Sequence, residues 1–121
     1  MSYKHFTEMP VWQRGHAIVL QIYRVTDRFP ESEKYALTSQ IRRAAVSITS
    51  NIAEAFGRQT AKDKVRFYLI ARGSCYETQN QVYVATDLAC LAPSDGAELN
   101  QDLERVTHDL NKIMKTLRTR S

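Results

Sequence analysis

Leu37 to Arg58 reads LTSQIRRAAVSITSNIAEAFGR, and its spacing decides the fold. Leu37, Ile41, Ala45, Ile48, Ile52 and Ala55 recur at steps of four and three, which stacks their side chains along one face of a helix. A seam of that kind belongs in a helical bundle. Gln40, Arg43, Ser47, Asn51 and Glu54 run beside it as a second stripe, displaced by roughly a third of a turn. A plain core helix has no need of that polar row.

Working outward toward the N-terminus, Pro10 suits the first turn of a helix, where its missing amide hydrogen costs nothing. Val11, Gly15, Ile18, Ile22, Val25 and Phe29 then step by four and three until Pro30, so the first helix is expected over about 10–29. The polar segment Pro30 to Lys34 connects it to the second helix, expected over 34–56. Gly57 is the expected terminator in left-handed conformation, with Arg58 placed where a cation suits the helix dipole.

Toward the C-terminus, Thr60 with Asp63 predicts the cap of a third helix over 60–91. Its expected seam is Phe67, Ala71, Ser74, Thr78, Gln81, Ala85 and Leu88, while Tyr68, Leu69, Ile70, Tyr76, Val82, Tyr83 and Val84 fall on other faces. A helix that is apolar on several sides needs several neighbours, and this surplus points to another subunit. Ala92 to Gly96 breaks the pattern, and Asp95 with Glu98 predicts a capping box for a fourth helix over 95–118. Leu99, Leu103, Val106, Leu110, Ile113 and Leu117 form its seam. The fold class is therefore all-α: a single domain over residues 1–121, an up-down-up-down four-helix bundle.

At 121 residues and a net charge of +4, the chain is one domain with a mild preference for anionic partners. No apolar run is long enough to span a bilayer, and Met1 to Phe6 lacks the pattern of a signal peptide, so a cytoplasmic location without membrane association is expected. Cys75 and Cys90, placed on one helix, are about 22 Å apart along its axis and read as reduced, small buried residues.

Three kinds of chemistry are conceivable for these residues. Glu54 and Glu77 could pair as carboxylates across two helices, but a di-metal bundle needs a Glu-x-x-His step on each of two helices, and His5, His16 and His108 all lack it. No nucleophile elbow and no phosphate loop is present, so the expectation is no enzyme, no catalytic residue, no metal and no cofactor. The polar stripe, joined by Ser74 and Glu77 from the third helix, reads either as a binding face or as a hydrogen-bonded layer that fixes helix packing; the layer is preferred because fold constraints outnumber ligand sites. The basic groups could neutralise phosphates: Arg42, Arg43, Arg58, Lys62 and Arg66 first, then Arg105, Lys112 and Lys115. Lys64 belongs to the same concentration of cations. Asp102, Glu104 and Asp109 dilute the row on the fourth helix.

FTEMPVWQRGHAIVLQIYRVTDRFP, QIRRAAVSITSNIAEAFGR and FYLIARGSCYE resemble the three motif blocks of the four-helix bundle family encoded in intervening sequences of bacterial 23S ribosomal RNA genes. The resemblance runs from Phe6 to Leu117, and its most specific parts are Val11 to Gln13, Gln40, Arg42, Arg43, Ser47, Asn51 to Glu54, Arg58 and Ala71 to Glu77. The family usually has a glycine after its NIAE segment, where this chain has Ala55. What the resemblance implies is a left-handed antiparallel bundle assembled into a homopentameric ring, with no established catalytic activity. It further implies an association with RNA or the ribosome. The alternative it suggests is a ring that docks a partner protein, as in the accessory protein of diversity-generating retroelements.

Overall fold

The computed structural model describes residues 2–120. Four helices account for most of them: α1 (Pro10–Thr26), α2 (Leu37–Gly57), α3 (Ala61–Asp87) and α4 (Pro93–Arg120), with short 3-10 turns at Phe6–Glu8 and Glu31–Glu33. There is no strand among the described residues. None of the described helices is long and apolar enough to cross a membrane.

Each helix packs on its sequence neighbours, and α4 closes against α1. Arg42 reaches Thr26, Ser47 meets Ser74 while Lys64 meets Ala55, and Arg72 meets Asn111 while Gln79 meets the Asn100 carbonyl. Across the α2–α3 and α3–α4 contacts, residue numbers rise on one helix as those of the residues they meet fall on the other. The α2 seam lies at the centre: Ile41, Ala45, Ile48, Ile52 and Ala55 are fully buried, against Ile22 of α1, Ala71 and Ala85 of α3 and Leu103, Val106 and Leu110 of α4. Burial of a side chain of this size stabilises the fold by roughly 1.5–3 kcal/mol.

The helix ends differ from the sequence expectations, each for a local reason. Helix α1 stops at Thr26, short of Phe29, where the Thr26 hydroxyl donates to the Ile22 carbonyl and the chain tightens through i→i+3 bonds from Arg28 and Phe29. Helix α2 begins at Leu37 because Ala36 takes φ −116° and ψ −101°, outside the helical region. No glycine has a positive φ. Gly57 remains helical, and the chain leaves through Arg58 in extended conformation.

Helix α3 ends at Asp87, which leaves Cys90 beyond it. Ala89 takes φ 61°, and the amides of Cys90 and Ala89 return to the carbonyls of Ala85 and Thr86 at 2.9 and 3.0 Å. That is a Schellman closure built on alanine, a residue the sequence pattern does not flag. Pro93 rather than Asp95 opens α4, so the expected Asp95–Glu98 capping box gives way to a proline start with Asp95 inside the first turn.

The seam of α3 also differs. Leu88 is 59% exposed, whereas Tyr68, Cys75 and Val82 are buried, because α3 packs on α4 as well as α2. At Gly96 the α3–α4 approach leaves no room for a side chain, since a Cβ there would fall 2.5 Å from Thr86 Oγ1. At the end of α4 the seam moves from Ile113 to Met114, which is 1% exposed. A groove of about 430 Å³ lies on the α1–α4 side, between Met9, Val11 and Arg14 on one wall and Ile113 and Leu117 on the other. The ion pair of Arg14 with Asp109, at 2.6 Å, spans it.

Candidate nucleic-acid interface

The last turn of α2 and the first turns of α3 meet at one end of the bundle, where Lys64 reaches back to Ala55 and Phe56. Cations collect there. Arg58 and Arg66 both lie over the Phe67 ring, each guanidinium carbon 4.4 Å from its centroid. Arg58 also pairs with Glu54 at 2.9 Å, and Arg66 with Asp63 at 3.2 Å. A guanidinium stacked on a ring keeps an edge of N–H donors free to turn outward, and such planar forks suit phosphate. Lys62 is exposed one turn before Arg66, while Lys112 and Lys115 are exposed on α4, Lys112 on the wall of the α1–α4 groove.

Lys64 does something else. Its ammonium donates to the carbonyl oxygens of Ala55 and Phe56 at 3.1 and 3.0 Å, closing the C-terminus of α2, and burial lowers its pKa from the ordinary 10.5. Sequence reasoning counted it only as one more cation; the nine-residue reach back across the turn gave no local signal.

The remaining basic candidates are spread out. Arg42 is held inside the chain, its guanidinium donating to Thr26 Oγ1 at 2.8 Å and to Asp27 at 3.3 Å and lying 4.5 Å from the Tyr23 ring centroid. It stitches α2 to α1 about 24 Å along α2 from Arg58. Arg43 is exposed near Arg42, and Arg105 is exposed midway along α4, on a groove shared with Glu98 and Asp102. The structure therefore brings together Arg58, Lys62 and Arg66 at the α2–α3 junction, and leaves Lys112, Lys115, Arg42, Arg43 and Arg105 outside that cluster.

The polar stripe divides in the same way. Ser47 and Ser74 share a hydrogen bond of 2.8 Å between hydroxyls, Asn51 donates to the Ser47 carbonyl and hydroxyl, and Thr78 donates to the Ser74 carbonyl at 2.7 Å. These form the packed polar layer between α2 and α3. Gln40, Arg43, Glu54 and Glu77 are exposed and stand outside it. Glu77 accepts from Gln81 at 3.4 Å.

The profile of the family described as 23S rRNA-intervening sequence protein matches residues 7–112. The fold is similar to the crystal structure of a protein of unknown function from the S23 ribosomal protein family of Bacteroides thetaiotaomicron, with a TM-score of 0.78 and 22% identity over 87% of this chain and 98% of that one. At that identity the likeness concerns the fold alone. No curated protein matches this sequence.

Proposed function

This chain belongs to the family of 23S rRNA-intervening sequence proteins, and from that premise we propose that it is a non-enzymatic, cytoplasmic, homo-oligomeric bundle that binds structured RNA through the basic end. The observation that carries the proposal is the meeting of Arg58, Lys62 and Arg66 at the α2–α3 junction, with the two guanidiniums stacked on Phe67. Each phosphate neutralised releases counterions, so a cluster of this kind gives affinity that falls steeply with salt.

Assembly belongs to the same reading. The sequence of helix contacts supports an up-down-up-down course, and the apolar residues left on the outside of α3 support association of copies, with the pentameric ring of the family resemblance as the expected size. A ring repeats the basic end in each subunit and multiplies its charge on one surface.

The test pairs Lys62→Glu with Arg66→Glu and measures binding to a folded stem-loop transcript across a salt series, with thermal unfolding as the control. The expected result is at least a tenfold weaker affinity, a salt slope shallower by about 2 and an unchanged melting temperature. Unchanged affinity would overturn the RNA assignment. A second reading, a ring that docks a partner protein, is favoured by the exposed apolar row of α3; binding that holds as salt rises would select it.

A further inference from the structure

The groove between α1 and α4, about 430 Å³, falls within the size range of small-molecule sites. Its walls are apolar. Met9 and Val11 are 7% and 3% exposed on one side, and Ile113 and Leu117 are half-buried on the other. Tyr3, ahead of α1, and Arg120, in the last turn of α4, line it as well. From Asp109 to Arg120 the α4 wall runs about 16 Å at 1.5 Å per residue.

The charge along this groove is one-sided. Arg14, Lys112 and Arg120 line it against a single carboxylate, Asp109. Arg14 gives its Nη1 to Asp109 and makes no other hydrogen bond among the described residues, so the rest of its donor fork is open. Lys112 stands one turn along from Asp109 and has no ion pair or hydrogen bond among the described residues. The Arg14–Asp109 contact therefore fixes one end of the groove as the end where two cations with unused donors meet apolar walls.

An occupant that matches this surface is apolar along its length and anionic at one tip. Spread over about 16 Å, the hollow is narrower than an α-helix, about 10 Å across with its side chains, and suits an extended chain. We infer that the groove binds a long-chain carboxylate, one molecule per chain, with its head between Arg14 and Lys112 and its tail along Val11, Ile113 and Leu117 toward Tyr3. The stem of Arg120 then covers the tail while its guanidinium stays in water. Burial of the tail supplies the affinity, and the cations fix its direction. The groove shares no residue with the cluster of Arg58, Lys62 and Arg66, so this inference and the RNA reading stand or fall separately.

Calorimetric titration of the whole chain with dodecanoate, kept below the concentration at which it forms micelles, tests the inference. One saturable site per chain with a negative heat-capacity change is expected. Acetate, the head without the tail, and dodecyltrimethylammonium, the tail with the opposite head, are expected not to saturate. Lys112→Glu should weaken dodecanoate binding roughly tenfold, Leu117→Asp should abolish it, and Lys115→Glu, outside the groove, should leave it unchanged. Melting temperatures check each variant, and Lys112, being exposed, can be changed without disturbing the core if Leu117→Asp fails to fold. No saturation by dodecanoate overturns the inference, as does equal binding of dodecyltrimethylammonium or an affinity untouched by Lys112→Glu. Uptake only above the micelle concentration would assign the face to a lipid surface, and saturation by an acidic amphipathic peptide in place of dodecanoate would assign it to a protein segment; either result overturns it too.

Discussion

The hydroxyls of Ser47 and Ser74 lie 2.8 Å apart across the α2–α3 contact, the one on a half-buried position and the other 8% exposed. Asn51 completes the group by donating to Ser47. Removing one hydroxyl leaves its partner short of a bond in a place water barely reaches, whereas removing both leaves two small apolar groups. Ser47→Ala is expected to cost about 1–2 kcal/mol in urea unfolding, and Ser47→Ala/Ser74→Ala less than the sum of the single changes. Strict additivity would show that the two hydroxyls do not act together.

At Gly96 α4 lies against α3, and the atom in the way of a side chain is Thr86 Oγ1, itself fixed by donating to the Val82 carbonyl at 2.8 Å. Gly96→Ala is expected to destabilise the bundle by about 2 kcal/mol despite the better helix propensity of alanine. Adding Thr86→Ala should recover most of the loss. A melting temperature unmoved by Gly96→Ala would mean the helices part there at no cost.

Ala89 holds φ 61° at the end of α3, a conformation that crowds a Cβ against the neighbouring carbonyl. Ala89→Gly is expected to raise stability by about 0.5–1 kcal/mol, and Ala89→Val to lower it by more. Thermal unfolding of the three proteins orders them, and any order other than Gly, Ala, Val contradicts the strain.

Burial pushes the Tyr68 phenol from the ordinary 10.0 up to about 12. Below pH 10 both folded and unfolded chains keep the proton. Between pH 10 and 12 the unfolded chain releases it and the folded chain does not, so stability falls through that window, by about 2 kcal/mol for a shift of this size. Tyr68→Phe should flatten this part of the pH profile and leave neutral pH nearly unchanged; an identical alkaline slope would contradict the assignment.

The two thiols should separate by reactivity. Cys75 is fully buried, and that burial pushes its thiol up to about 11, with the Thr107 hydroxyl acting weakly the other way, whereas Cys90 is half-buried on the α3–α4 connection. An aromatic disulfide reagent at neutral pH is expected to label Cys90 alone in the folded protein and both after denaturation. Rapid labelling of Cys75 in the native state would mean that α3 and α4 open readily.

Much of this architecture was legible in the residues. Leu37 to Ala55 announced a seam by spacing alone, and the apolar surplus of α3 was visible as a conflict with a one-faced helix. What escaped was non-local or atypical. The return of Lys64 to the Ala55 and Phe56 carbonyls depends on the angle of the α2–α3 turn, and Ala89 took a conformation for which glycine is the usual marker. Spacing placed Gln40, Arg43, Glu54 and Glu77 in one row with Ser47, Asn51 and Ser74, but a stripe wider than the helix contact is cut by it, and the long charged members fall outside. The gathering of Arg58, Lys62 and Arg66 was legible as a run of cations at the junction of the second and third helices, whereas the holding of Arg42 against Thr26 and Asp27 at the end of the first helix was not.

The seam between α1 and α4 has a consequence for how the protein comes apart. Its walls stand open in a groove, and the ion pair of Arg14 and Asp109 joins residues at 39% and 21% side-chain exposure, where solvent weakens it. The first helix is thus the natural leaf of the bundle to swing away, exchanging its amide hydrogens ahead of α2 and α3 in a partial opening that leaves the central hairpin intact. Two chains caught in that state could trade first helices, making high concentration at the edge of unfolding the condition under which swapped pairs arise.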